Sequence, residues 1–429
     1  MYTMRYHYLF ILAISFFSNG QVIQFADPVF KAKLVAASPS NFTAQNAAGS
    51  YITIDLNGNG EIEVAEASGV SQLNLSASSI TDITGINAFS DLKVLGCRLN
   101  QIESIDVTGL LLLETLQCME SEVSSIDVSN LVNLKYLFCY ENALTSINLS
   151  GCTGLIYLSA YNNNLTSLEI GQCPNLRTLD CWENQLTSLN VNHLSGLKYL
   201  YCYRNQLTTM DLSGMSNLLG VSCVENQISS LNLSGLTNLQ DLSFRDNLVT
   251  SVDLSDLTNL HYFLGNNNNL TTLDCSNLPQ LETVFCFNNS LTSMYIKNGS
   301  NETIVAFAGN PNLQFICADT SQLATIAASA IQNGNFSCQI DDVCSLSNNG
   351  FLSNNEIVIS PNPVSDILNI NTEVAIKSMA IYNSLGQLIL NVENATEVNL
   401  INVSNFKTGT YFVKINTNQG EVKTKFIKL

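Results

Sequence analysis

The residues best placed to do chemistry lie near the N-terminus, in the run Asp55-Leu56-Asn57-Gly58-Asn59-Gly60-Glu61-Ile62-Glu63-Val64-Ala65-Glu66. This run matches the calcium-loop pattern D-x-[DN]-x-[DN]-G-x5-E at every fixed position. Asp55, Asn57 and Asn59 offer oxygens from alternate positions of a curling chain, and Gly60 permits the sharp turn. Glu61 gives its backbone carbonyl, Glu63 holds the place that often coordinates through water, and Glu66 can chelate with both carboxylate oxygens. The expectation is one structural Ca2+ ion that stiffens an N-terminal cap.

A second candidate set is aromatic: Tyr136, Phe138, Tyr140, Tyr157, Tyr161, Trp182, Tyr199, Tyr201 and Tyr203, with Tyr262, Phe285 and Phe287 further on. They fall at fixed phases of a repeat. Clustered exposed aromatics are costly unless used, Tyr and Trp dominate binding hot spots, and flat rings also stack on sugars. The expectation is therefore a ligand-binding face for a protein or a glycan. Glu120, Glu141, Glu183, Glu225 and Asp246 form an acidic stripe beside it and favour basic or hydroxyl-rich ligands.

Catalysis finds little material. Beyond residue 20 the histidines are His193 and His261, whose phases suggest no Ser/His/Asp or Cys/His pairing. Glu141 and Glu183 stand two repeats apart, about 10 Å at sheet spacing, a separation within reach of paired-carboxylate glycoside hydrolysis. Stripes of surface acid are ordinarily solvated faces, so the expectation is no enzyme. The alternatives are a secreted hydrolase, or an ice-binding solenoid using the Thr-Ser pairs at Thr145, Thr166, Thr187, Thr208, Thr250, Thr271 and Thr292.

These side chains are positioned by a 21-residue repeat. Leu recurs at 92, 113, 134, 155, 176, 197, 218, 239, 260 and 281 without an insertion. Counting from that Leu, positions 4, 11, 14 and 16 are apolar in all ten units, and position 9 is Asn in nine of them, with Ser121 the exception. An L-x-x-L-x-(L/C)-x-x-N-x-L unit makes a short parallel strand and a sharp turn, whose unpaired backbone groups an inward Asn amide can satisfy. A single unit cannot bury its own apolar face, so neighbours supply the stability. The pattern resembles the leucine-rich repeat family over residues 70–316, including a degenerate first unit from Val70 to Asp91. That resemblance implies a curved parallel sheet whose concave face, at positions 3, 5 and 7, carries the ligand.

Position 6 holds Cys97, Cys118, Cys139, Cys181, Cys202, Cys223 and Cys286. Cysteines at one inward phase behave as small hydrophobes, and this ladder resembles that of internalin-like bacterial adhesins, whose repeats bind host surface molecules. Of the others, Cys152 and Cys173 share position 19 of adjacent units and could pair. Cys317 and Cys338 bracket a helical segment, 320–333, and are expected to form a bridge.

The ends complete the organisation. Residues 1–20 read as a secretory signal peptide, with Arg5, the apolar run Leu9 to Phe17 and a small-residue end. Residues 21–69 form the cap with the EF-hand-like loop, 317–344 a C-terminal cap, and 345–356 a Ser/Asn/Gly-rich linker. The last segment, 357–429, alternates as a small Ig-like β-sandwich. Its motifs Pro361-Asn362-Pro363, Tyr382-Asn383-Ser384-Leu385-Gly386-Gln387, Thr408-Gly409-Thr410-Tyr411 and the ending Lys428-Leu429 resemble the type A C-terminal sorting domain of the type IX secretion system of Bacteroidetes. The resemblance implies the secretion machinery as a partner and a secreted or outer-surface location.

Composition agrees. The 429 residues carry 17 Lys+Arg against 35 Asp+Glu, a net charge of −18, with 12% charged and 46% hydrophobic positions. Disorder needs low hydrophobicity with high charge, and a nucleic-acid binder needs a basic stripe, so both are excluded. No stretch beyond the leader approaches 18 apolar residues, so no transmembrane segment is expected. The fold class is mostly β.

Overall fold

The computed structural model describes residues 20–344, 357–372, 375–383, 387–393, 400–417 and 421–429. The expected leader, apart from Gly20, the linker 345–356, and Ser384-Leu385-Gly386 lie outside the described residues. The chain divides into two compact units, 1–344 and 345–429.

In the first unit, helix Pro28–Val35 is capped by Asp27, whose side chain accepts from the N–H groups of Val29 and Phe30. The other Asp27 oxygen accepts from the N–H and hydroxyl of Thr81 at 2.6 and 3.0 Å. One carboxylate thus starts the helix and ties it to the first repeat. Phe30 and Leu34 bury the inner helix face. Helix Val64–Ala67 is the only helix flanking the calcium-type loop. On the other side the chain Tyr51–Ile54 is not helical, so the helix–loop–helix of an EF-hand is not formed. The β-branched run Ile52-Thr53-Ile54 favours extended chain, and the Ile52 N–H bonds the Ala44 carbonyl of the adjoining hairpin at 3.0 Å.

Strand Ala44–Gln45 pairs antiparallel with Gln72–Asn74 and opens a 13-stranded sheet. Every later strand is parallel and in register, as with Leu95↔Leu116 and Leu200↔Val221. Each strand spans only positions 3 to 5, for example Thr178–Asp180. The reason lies at position 8. Leu99, Glu120, Glu141, Asn162, Glu183, Arg204, Glu225, Asp246, Asn267 and Asn288 all adopt left-handed backbone, with φ between 50° and 57°. The chain therefore leaves the sheet once per repeat.

The next residue repairs the turn. The Asn184 amide donates to the carbonyls of Ala160, Cys181 and Trp182, and its Oδ1 accepts from the Leu165 N–H at 3.0 Å. Asn142, Asn163, Asn205, Asn226, Asn247, Asn268 and Asn289 repeat this arrangement. The ladder runs one unit further than the leucine count predicts, because Asn310 accepts from Leu291 and donates to Cys286 and Phe307. Glu302 stands there in place of Leu, and its buried carboxylate is satisfied by the side-chain amides of Asn298 and Gln322.

All seven position-6 cysteines are free and buried. Burial pushes the thiols of Cys97, Cys139, Cys223 and Cys286 up to about 12. Cys152 and Cys173 are likewise free and buried. They occupy the same core as Leu110 and Leu194 at that phase. Opposite the main sheet, strands at positions 13 to 15 pair in three separate runs, beginning at Ser104–Asp106, Thr209–Asp211 and Thr272–Asp274.

The C-terminal cap is helix Leu323–Gln332 with a returning strand Gln339–Asp341. The disulfide joins Cys317 to Cys344, with Cα atoms 5.2 Å apart, and the expected Cys317–Cys338 bridge is not formed. The turn after the returning strand explains the correction. Asp341 lies beside Cys317, so register alone leaves Cys338 and Cys344 each three residues away. Past Asp341 the chain bends, with the Val343 N–H bonded to Asp341 Oδ1 at 3.0 Å, and brings Cys344 back to Cys317.

The second unit has two antiparallel sheets. One orders Ile357–Ser360, Ile367–Thr372 and Leu400–Asn402, the other Leu388–Glu393, Ile376–Asn383, Gly409–Thr417 and Glu421–Lys428. Leu368, Ile370, Met379, Ile381, Val413, Ile415 and Phe426 fill the core between them. Asn362 of the Pro-Asn-Pro motif accepts from the Ile427 N–H at 2.8 Å and donates to the Lys425 carbonyl at 3.2 Å, fixing the final strand.

Candidate functional site

The repeat register brings the nine sequence-selected aromatics onto one face of the main sheet. Those at position 7 form a continuous stack. Tyr140 to Tyr161 is 4.3 Å between ring centroids, Tyr161 to Trp182 is 4.1 Å and Trp182 to Tyr203 is 4.8 Å, with planes within 10° of parallel throughout. The sheet spacing sets these distances, because identical phases on neighbouring strands sit about 4.8 Å apart. Tyr136, Tyr157 and Tyr199 occupy position 3, and Tyr136 is the most open of the nine at 40% exposure. Phe138 packs on Tyr157 at 5.3 Å, and Tyr199 lies parallel to Tyr201 at 6.4 Å.

Between the two aromatic rows, position 5 changes character. Phe138 and Tyr201 flank Ser159 and Asp180, which pair across adjacent strands. These small polar residues leave a depression of about 310 Å³, edged by Phe138, Tyr140, Tyr157 and Tyr161. Asp180 lines one end of it. The Ser159 hydroxyl donates to Asp180 Oδ2 at 3.5 Å, while Asp180 Oδ1 is buried with no hydrogen-bond partner. Burial pushes this carboxyl up to about 6, against the opposing pull of Ser159 and Trp182. Sequence reasoning on aromatic content passed over Asp180 and Ser159. Their signal was the interruption of bulky side chains at one phase.

The acidic stripe of position 8 sits on the left-handed turns, and it is not uniform. Arg204 lies between Glu183 and Glu225 and bonds both, with its Nε 3.0 Å from Glu225. Among the described residues the histidines form no hydrogen-bonded acid–base pair. His193 Nε2 meets the Ile170 carbonyl at 3.5 Å, and His261 Nδ1 is buried without a hydrogen-bond partner, acting on Asp241 through charge alone.

In the calcium-type loop, Asp55 accepts from the N–H groups of Gly58, Asn59 and Gly60. Asn57 and Asn59 turn their side-chain oxygens to backbone N–H groups and their amide nitrogens to the Glu63 carboxylate. Glu66 accepts from Leu56 and Glu63, and Glu61 pairs with Lys31 at 2.7 Å. The two end carboxyls split. The hydrogen bond with Glu66 holds Glu63 below the ordinary range, while burial and that same bond push Glu66 up. Among the described residues no group of three or more His, Cys, Asp or Glu stands in metal-binding geometry.

Residues 358–429 match the secretion system C-terminal sorting domain, and residues 153–196 match leucine-rich repeats in two copies. The chain thus carries leucine-rich repeats and a secretion sorting domain. The sorting domain marks it as secreted or held at the cell surface. No described helix is long and apolar enough to cross a membrane. Among solved structures, the functional domain of InlJ from Listeria monocytogenes, which includes a cysteine ladder, has a TM-score of 0.55 at 20% identity, over 96% of this chain and 99% of that one. An internalin, InlF, from the same organism gives 0.43 at 22% identity, over 66% and 97%. A leucine-rich repeat protein of Leptospira interrogans gives 0.38 at 21%, over 64% and 84%. No curated protein matches the chain.

Proposed function

We propose that the repeat domain is a non-catalytic recognition module that binds a protein partner through the aromatic face of its main sheet after export by the type IX route. The four-ring stack carries this reading. Its rings cover one another's faces, so the interior rings present edges and hydroxyls instead of platforms for sugars. That arrangement suits the polar and aromatic side chains of a protein surface better than a glycan. A hydrolase reading lacks a poised acid–base pair at either histidine, and an ice-binding reading lacks a continuous hydroxyl ladder, because the strands opposite the main sheet come in separate runs. The test is a protein and glycan array probed with the secreted chain and with a Tyr140→Ala, Trp182→Ala, Tyr203→Ala variant. Capture of a protein that weakens at least tenfold in the variant supports the reading. Full retention by the variant overturns it.

A structural Ca2+ ion in the N-terminal cap is a second proposal, held by Asp55, Asn57, Asn59, the Glu61 carbonyl, Glu63 and Glu66. The donors are the hard oxygens this ion requires, and the crowding of the Glu63 and Glu66 carboxyls is the observation that favours it. Rigidity of the cap is what the ion supplies. Isothermal titration of the chelator-treated chain with calcium is the test, and an absence of uptake overturns it.

A further inference from the structure

We infer that the depression over Asp180 seats a cationic side chain, arginine or lysine, of the protein bound by the aromatic face. This rests on the reading above and names the chemistry its ligand must bring. Asp180 Oδ1 is buried with no hydrogen-bond partner, and a buried carboxylate without a counter-charge is strongly disfavoured. No ion pair among the described residues relieves it, and the nearby position-8 guanidinium, Arg204, is taken by Glu183 and Glu225. The ionisable groups that feel Asp180 are Tyr157, Tyr161, Tyr201, Tyr203 and Cys181, and burial pushes every one of them up. These five are therefore neutral at pH 7, and the other formal charges acting on the same rings include the acids Glu141 and Glu183 and the already engaged Arg204.

The surroundings favour a cation specifically. Phe138 and Tyr157, which stand outside the four-ring stack, edge the depression. Aromatic rings attract ammonium and guanidinium groups, more so when water is displaced. The volume of about 310 Å³ accommodates a charged head with its apolar stem, whereas an anion would meet Asp180 and an apolar side chain would leave it unpaired. The net charge of −18 adds long-range attraction for a basic partner.

Trp182 is the only tryptophan in the chain, so its fluorescence reports on this depression. The full chain is titrated at pH 8 with N-acetyl-arginine amide and N-acetyl-lysine amide, and with N-acetyl-norleucine amide as the uncharged control. The expected result is a saturable change with the two cations in the millimolar range, at least tenfold weaker for norleucine amide and for Asp180→Asn. The same titration of the unmodified protein at pH 4.5, where the Asp180 carboxyl is protonated, is expected to lose the response and needs no variant to fold. An equal response in Asp180→Asn, an equal response to norleucine amide, or no response in the unmodified chain overturns the cation site. Each of those results leaves recognition by the aromatic face to its own array experiment.

Discussion

Trp182 lies 4.1 Å from Tyr161 with the two rings 8° from parallel, and Tyr203 covers its other face at 4.8 Å. An aromatic in the middle of such a stack contributes to stability twice, once through each neighbour, at about 0.5–1.5 kcal/mol per ring pair. Trp182→Ala is therefore expected to lower stability by about 2 kcal/mol, and Trp182→Phe by less than half of that. Urea unfolding followed by circular dichroism checks it. A change below 0.5 kcal/mol for the alanine variant means that the rings are adjacent without supporting one another.

The Asn ladder predicts a penalty of its own. Replacing Asn184 by Ala leaves the Leu165 N–H without its partner in a buried setting, while the Ala160 and Cys181 carbonyls each lose one of two donors and keep Asn163 and Asn205. An orphaned buried group costs about 1–3 kcal/mol, so a loss of about 2 kcal/mol is expected. Asn164, one residue past the ladder's Asn163 and exposed, is the control, with an expected effect within about 0.5 kcal/mol of zero. Equal losses at the two positions contradict the ladder.

Asp180 gives a pH dependence whose sign is fixed. Its carboxyl titrates near 6 in the fold and near about 3.9 in an unfolded chain. Between these values the folded state holds the extra proton, so stability falls as pH rises through the window and the loss is complete above it. Asp180→Asn removes the ionisation. The variant is expected to be more stable at pH 8, by about 1 kcal/mol once the partial solvent access of the carboxylate is allowed for, with the advantage gone by pH 4. Thermal melts at the two pH values decide it, and a variant less stable at pH 8 refutes the sign.

The thiol inventory tests the disulfide. With Cys317 bonded to Cys344, eleven cysteines are free, ten of them buried and Cys338 half-buried. Native protein treated with a thiol reagent at pH 8 is expected to label Cys338 first and to leave the ladder untouched, because burial suppresses the thiolates. Denaturation without reductant should expose all eleven. Peptide mapping that finds label on Cys317 or Cys344 places the bridge elsewhere.

The 21-residue repeat was legible because one set of backbone geometries recurs, and its needs are met by residue type alone: Leu and Cys inward, Asn at the turn. A constraint written ten times is read from any copy, so the strands, the cysteine core and the alignment of the aromatics on one face followed from phase. The eleventh unit was obscured because Glu302 stands where Leu was sought, a substitution permitted only by two amides, from Asn298 and Gln322, that meet in space. The choice of Cys344 over Cys338 depended on the turn that follows the returning strand at Asp341, which residue spacing does not encode. Asp180 is the clearest case. Its residue type is ordinary, and its unpaired oxygen exists only because the rings of four successive repeats surround it and no ion pair among the described residues reaches it. Phase is a local property and belongs to the sequence. Which charges go unanswered is a property of the whole surface, and only the folded sheet decides it.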